Sequence, residues 1–203
     1  MNQKQVVDNL NQDWIWIKNF HEGDQSAFER IFNKYRTNLI NLAFRFLRER
    51  QAAEDIAQEV FIRIYEKKVR FDPRAKFSTL LYRMTVNASI DTLRKKKFSS
   101  HSLDEPVLNQ EGDQRLFMEG FSDSKSTSPV NVLQDAELRE FVQREIQKLP
   151  EKLRAPIFLH QFEELSYKEV AAILRITEKA VEKRIYHAKE HLRKNLSKYY
   201  KSL

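Results

Sequence analysis

The sequence predicts an all-α protein: two small helical domains joined by a flexible acidic linker. Three observations carry this. Apolar residues recur at three- and four-residue spacing in both halves of the chain. Glycine is nearly absent, with only Gly23, Gly112 and Gly120. Two basic blocks are separated by an acidic one, with net charge near +7 over 20–98, −4 over 99–134 and +4 over 135–203. The expected organisation is a first domain over 1–98, a linker over 99–134 and a second domain over 135–203.

Composition narrows the function classes. The 203 residues hold 36 Lys+Arg against 29 Asp+Glu, a net +7, with an isoelectric point near 9.5. Only 41% are apolar and 32% are charged, so each domain is small with a large wetted surface. Three scattered glycines argue against glycine-rich loops that bring backbone N–H groups onto nucleotide phosphates. With no cysteine there are no disulfides, thiolate metal sites or thiol nucleophiles, which favours a cytoplasmic address. Apolar runs are too short for a membrane segment, and the N-terminus lacks the apolar core of a signal peptide.

Taken in order, the first helix signal follows W-I-W-I-K-N-F and Gly23. Asp24 and Ser26 are both plausible N-caps, and Ser26 with Glu29 makes a capping-box pattern. Phe28, Ile31, Phe32, Tyr35, Leu39, Leu42 and Phe46 then form a core stripe.

A second helix is expected from about Ala52 to Lys67, burying Ile56, Val60, Phe61, Ile64 and Tyr65. On another face Asp55, Glu59, Ile62 and Glu66 fall at i, i+4, i+7 and i+11, with Gln58 beside them. An isoleucine among acids on an outer face, inside a basic block, suits a partner that is itself basic. Phe71-Asp72-Pro73 ends the segment, because the residue before proline is pushed out of helical geometry.

A third helix begins near Ser78 and packs Leu80, Leu81, Met84, Ala88 and Leu93 inward. Arg83, Asn87, Asp91 and Arg94 lie along one polar edge, which Lys95, Lys96 and Lys97 extend. Such an edge tracks phosphates, and Asn is able to address a base.

Residues 99–134 are rich in Ser, Asp and Asn and have no sustained apolar period. Such a stretch buries too little surface to offset chain entropy, and it reads as the linker.

In the second block Leu149-Pro150 starts a helix, and Pro156 should bend it. Ser166 caps a short helix with Val170, Ala171 and Leu174 inward. Arg175-Ile176 makes a turn with Ile176 buried, and Thr177 caps a last helix with Ala180, Val181, Ile185, Ala188 and Leu192 inside. This is a helix-turn-helix, whose second helix enters the major groove. Lys179, Glu182, Lys183, Tyr186 and His187 face outward, with Arg184 and Lys189 flanking them towards phosphates. His187-Ala188-Lys189-Glu190-His191 also fits the inverted zinc-hydrolase pattern, but no third ligand follows His191, so no metal or cofactor is expected.

The order of these motifs resembles the extracytoplasmic-function sigma factors of bacterial RNA polymerase. G-D-Q-S-A-F-E-R-I-F-N-K-Y is similar to the start of their region 2, and A-A-E-D-I-A-Q-E-V-F-I-R-I-Y to the segment that grips the clamp coiled coil of the polymerase largest subunit. F-S-T-L-L-Y-R-M-T-V-N-A-S-I-D-T-L-R-K is similar to the helix that melts and reads the −10 element. L-P-E-K-L-R-A-P-I-F-L and L-S-Y-K-E-V-A-A-I-L resemble region 4, which binds the −35 element.

The resemblance implies a non-enzymatic factor whose partners are core RNA polymerase, at the clamp of the largest subunit and the flap of the second largest, and promoter DNA. An anti-sigma factor is a further candidate partner. Core docking would use Asp55, Gln58, Glu59 and Ile62. Contacts at −10 would come from Ala75, Lys76, Phe77 and Ser78, a loop that with Asn87 holds an unstacked base, and from Arg83, Arg94, Lys95 and Lys96 on phosphates. The candidate −35 contacts are Thr177, Lys179, Glu182, Lys183, Arg184, Tyr186, His187 and Lys189.

The chain departs from the family pattern at Leu80, where tryptophan is frequent, and at Glu182 and Lys183, where a basic and a small residue are frequent. Arg175 replaces a common glycine, so its backbone must avoid a left-handed conformation or accept strain. The rival reading is a stand-alone helix-turn-helix regulator, which should bind its operator without polymerase.

Overall fold

The computed structural model describes residues 3–66, 75–100 and 129–201. All regular structure among them is helical: α1 (Gln3–His21), α2 (Gln25–Leu47), α3 (Arg50–Tyr65), α4 (Phe77–Ser100), α5 (Pro129–Lys148), α6 (Glu151–Gln161), α7 (Tyr167–Leu174) and α8 (Glu178–Lys201). The chain divides into two compact units, one built from α1–α4 and the other from α5–α8. Most of the expected linker, residues 101–128, lies outside the described residues, as do Phe71-Asp72-Pro73. Ser99 and Ser100 end α4, and α5 begins at Pro129, inside the stretch read as linker.

In the first unit α2 is the central helix, packed by α1, α3 and α4. Asp24 wins the N-cap: its carboxylate accepts from the Ser26 amide at 2.9 Å and from the Ser26 hydroxyl at 2.7 Å. Ser26 is then the second residue of α2 and not its cap, so the Ser26–Glu29 box does not form. The Ser26 hydrogen bond also holds the Asp24 carboxyl below its ordinary pKa. Ile31, Leu39, Leu42 and Phe46 are fully buried, each stabilising the unit by roughly 1.5–3 kcal/mol. The helix stops at Arg48, which takes a left-handed conformation (φ 57°) and donates its N–H to Phe44 O at 2.8 Å.

Helix α3 buries Ile56, Val60, Phe61 and Ile64 as expected, but Tyr65 is 48% exposed. It is the last residue of the helix, and its ring packs beside Phe20 and Phe28, with centroids at 5.5 and 5.2 Å. Helix α4 buries the hydroxyls of Thr85 and Ser89. Thr85 donates to Leu81 O at 3.0 Å and Ser89 to Thr85 O at 2.8 Å, so neither leaves an unmet donor in the core.

In the second unit α6, α7 and α8 pack around Phe158, Leu159, Val170, Val181, Ile185 and Ala188. Pro150 stands at the N-cap position and Pro156 lies inside α6, buried, without ending the helix. Its missing N–H removes one ladder bond in the middle of α6. A polar clasp joins α5 to α8. Glu145, 5% exposed, accepts from Lys148 at 2.6 Å and from Asn195 at 2.5 Å. The Lys148 bond is the largest influence holding the Glu145 carboxyl below its ordinary pKa.

Candidate nucleic-acid interface and docking face

The buried stripe of α3 turns its opposite side to solvent. Asp55, Gln58, Glu59 and Ile62 are all exposed there, Ile62 at 46%. Neighbours on the same helix hold the acids: Gln51 donates to Asp55 at 3.0 Å and Arg63 to Glu59 at 2.5 Å. An apolar side chain is thus framed by carboxylates held in place, an arrangement whose charge can set register against a complementary surface.

The start of α4 divides the expected −10 residues. Ala75 is exposed, and Lys76 and Ser78 are half-buried. Phe77 is 3% exposed, with its ring edge-on to Tyr35 at 6.0 Å between centroids. Its side chain is spent on the core, so the loop presents Ala75, Lys76 and Ser78 but not the Phe77 ring. Further along, Asn87 and Arg94 are exposed and Arg83 is half-buried on one edge.

Lys95 and Lys96 are exposed, but Lys96 does not extend that edge. With about 3.6 residues per turn it lies roughly 180° round the helix from Asn87. There it pairs with Glu49, the residue before α3. The Lys97 side chain lies outside the described residues.

The helix-turn-helix is closed by backbone bonds the sequence specifies locally. Ser166 and Glu169 form a reciprocal capping box, the Glu169 N–H donating to Ser166 Oγ at 3.3 Å and the Ser166 N–H to Glu169 Oε2 at 3.0 Å. At the turn Arg175 adopts the left-handed conformation (φ 54°, ψ 46°), and the Ile176 N–H reaches Ala171 O at 3.1 Å. The chain therefore accepts the strain that glycine would avoid. Ile176 is half-buried rather than buried, and Ile173 takes the interior place expected of Leu174.

Thr177 Oγ1 accepts the Ala180 N–H at 3.1 Å and caps α8. Inside α8 are Val181, Ile185 and Ala188, with Ala180 and Leu192 half-buried. Outside are Thr177, Lys179, Glu182, Lys183, His187, Lys189 and Tyr186, which is 61% exposed, while Arg184 is half-buried on a flank. Tyr186 and His187 meet edge-on at 5.7 Å, so two rings share the outward face. No cluster of three or more His, Cys, Asp or Glu suited to a metal occurs among the described residues.

Sequence reasoning missed Glu49 and Glu145. Neither sits in a periodic pattern, and their partners Lys96 and Asn195 are 47 and 50 residues away.

A helix-turn-helix in one unit and a basic helix edge in the other define a two-module helical protein of the DNA-binding class. Comparison is more specific. Residues 31–99 match Sigma-70 region 2 and residues 140–192 match Sigma-70 region 4. The ECF RNA polymerase sigma factor SigW of Bacillus subtilis (strain 168) is 41% identical over 180 residues, covering 89% of this chain and 94% of SigW. Among solved structures, CnrH in complex with the cytosolic domain of CnrY aligns with a TM-score of 0.63 at 22% identity, over 92% of this chain and 97% of CnrH. The sigma factor RpoE in complex with the anti-sigma factor NepR from Bartonella quintana gives 0.60 at 18%, over 84% and 96%. The chain belongs to the ECF family of RNA polymerase sigma factors. The alternative of a stand-alone regulator is not favoured, because both modules match in the family's order. No helix among the described residues is long and apolar enough to cross a membrane.

Proposed function

We propose that this sigma factor docks on core RNA polymerase through Asp55, Gln58, Glu59 and Ile62 and directs initiation by reading two promoter elements. The supporting observation is the α3 face: four groups, all exposed, with an isoleucine between carboxylates in a block that is otherwise basic. The first unit addresses the −10 element, with Ala75, Lys76, Ser78 and Asn87 around an unstacked base and Arg83 and Arg94 on phosphates. The second unit lays α8 in the major groove at −35, with region 4 against the polymerase flap. The acidic segment 99–134 joins the two modules, 1–98 and 135–203, and threads the positively charged interior of the polymerase. The protein contributes no bond-making chemistry, works in the cytoplasm, and is open to restraint by an anti-sigma factor.

The test is transcription by core polymerase with and without the protein, followed by start-site mapping. New start sites sharing −10 and −35 elements support the reading. Tight binding of the same DNA by the protein alone, with no change in transcripts, rejects it.

A further inference from the structure

Helix α1 lies outside the stretch that matches region 2, which begins at residue 31. Yet it carries Asp13, a carboxylate only 5% exposed. Asp13 Oδ1 accepts from Lys34 Nζ at 2.6 Å, and Oδ2 accepts from the Tyr35 hydroxyl at 2.5 Å. The Lys34 ammonium also lies over the rings of Trp16 and Tyr35, 5.5 and 5.2 Å from their centroids. Burial, reinforced by the Asp13 hydrogen bond, raises the Tyr35 phenol well above its ordinary pKa, which keeps it a donor.

The Tyr35 ring is thus fixed at both ends. Its hydroxyl is held by α1, and its ring packs in a T-shaped contact, 6.0 Å between centroids, with Phe77, the first residue of α4. Phe77 is buried and anchors the turn that the Thr79 N–H closes onto Lys76 O at 3.0 Å. Ala75, Lys76 and Ser78 flank it on the surface. A tilt of the Tyr35 ring is therefore passed through close-packed rings to the loop, because a packed interior transmits displacement.

We infer that Asp13 is a positioning residue for −10 readout, acting through Tyr35 and Phe77 on the loop from Ala75 to Ser78. The inference rests on the proposed role of that loop and Asn87 in holding a base. It makes α1 part of the specificity apparatus without any contact to DNA.

The experiment selects transcribed sequences from a pool randomised at −10 with the −35 element fixed, using core polymerase and full-length variants. Tyr35→Phe removes one oxygen, Asp13→Ala removes the acceptor, and Asp13→Asn keeps an amide oxygen able to accept. Tyr35→Phe and Asp13→Ala should flatten −10 preference by about threefold or more, the size of one ordinary hydrogen bond, while Asp13→Asn retains most of it. Core affinity and −35 preference should stay at wild type. A uniform loss across all −10 sequences, or unchanged preference in Tyr35→Phe, overturns the inference. If Asp13→Ala loses helicity, Tyr35→Phe alone decides. Asn87→Ala runs in parallel. If it too leaves −10 preference unchanged, the base-reading role itself fails. If it alters preference while Tyr35→Phe does not, only the role of Asp13 fails.

Discussion

Lys96, one turn before the end of α4, pairs with Glu49 at the entrance to α3. Both side chains are about half exposed, so the pair is a screened surface contact worth no more than about 1 kcal/mol. A DNA phosphate reaching Lys96 competes with Glu49 for it. Glu49→Gln should therefore tighten open-complex binding by about twofold to fivefold at low salt, with the gain fading as salt rises. Lys96→Ala should leave the salt slope unchanged if Glu49 retains the lysine, and lower it by about one if phosphate takes it. Binding isotherms over a salt series decide which partner holds Lys96 in the complex.

The docking face gives the second prediction. Asp55 and Glu59 are exposed and bonded to neighbours on α3, so Asp55→Lys with Glu59→Lys should change folding stability little, within about 0.5 kcal/mol per site. Co-purification with core polymerase should be lost. Retained co-purification at wild-type helicity would reject this face as the docking site.

Base readout by α8 is the third. Lys183 and Tyr186 lie on the outward face, one to two turns into the helix. Lysine donates to guanine and a tyrosine ring packs on a thymine methyl, so each substitution to Ala should cost about 1–3 kcal/mol at one or two −35 positions. Selection from a pool randomised at −35 should return altered consensus sequences with −10 preference intact. Recovery of the wild-type consensus by both variants would leave α8 as a phosphate anchor only.

The fourth prediction concerns the turn. A non-glycine residue in the left-handed region costs roughly 1–2 kcal/mol, and glycine gives back part of that through its freer unfolded chain. Arg175→Gly should therefore stabilise the second unit by about 0.5–1 kcal/mol, read as a higher melting temperature. A lower one would mean that the Arg175 side chain contributes more than its backbone costs.

The fifth is a pH dependence. The Glu145 carboxyl titrates below its ordinary value of 4.5 in the folded state, so its clasp contributes fully above that value and is lost as pH falls through the folded one. Glu145→Gln should lower the melting temperature at pH 7, and the gap to wild type should close as pH drops below 4.5. A gap of constant size down to pH about 3 would assign the clasp to shape and not to charge.

What the sequence disclosed follows from range. Caps and stripes depend on residues three or four apart, and so Asp24, Ser166, Thr177 and the interior of α8 were legible. The exposed acids of α3 were legible for the same reason. The rest depends on contacts between distant segments. Nothing periodic says that Asp13 meets Tyr35 across 22 residues, or that Lys96 turns towards Glu49. Tyr65 has the spacing of a core residue, and only its place at the helix end leaves one side of it to solvent. Phe77 misled in the other direction, since a motif assigns a segment to DNA without saying which of its side chains the core claims first.

The two faces of α8 share no residue. Val181, Ile185 and Ala188 hold the helix in place, while Lys183, Tyr186 and His187 are exposed, the last two with their rings together. On the proposed readout by α8, descendants of this chain are free to explore new target sequences one codon at a time, because the positions assigned to recognition are not the positions on which folding depends.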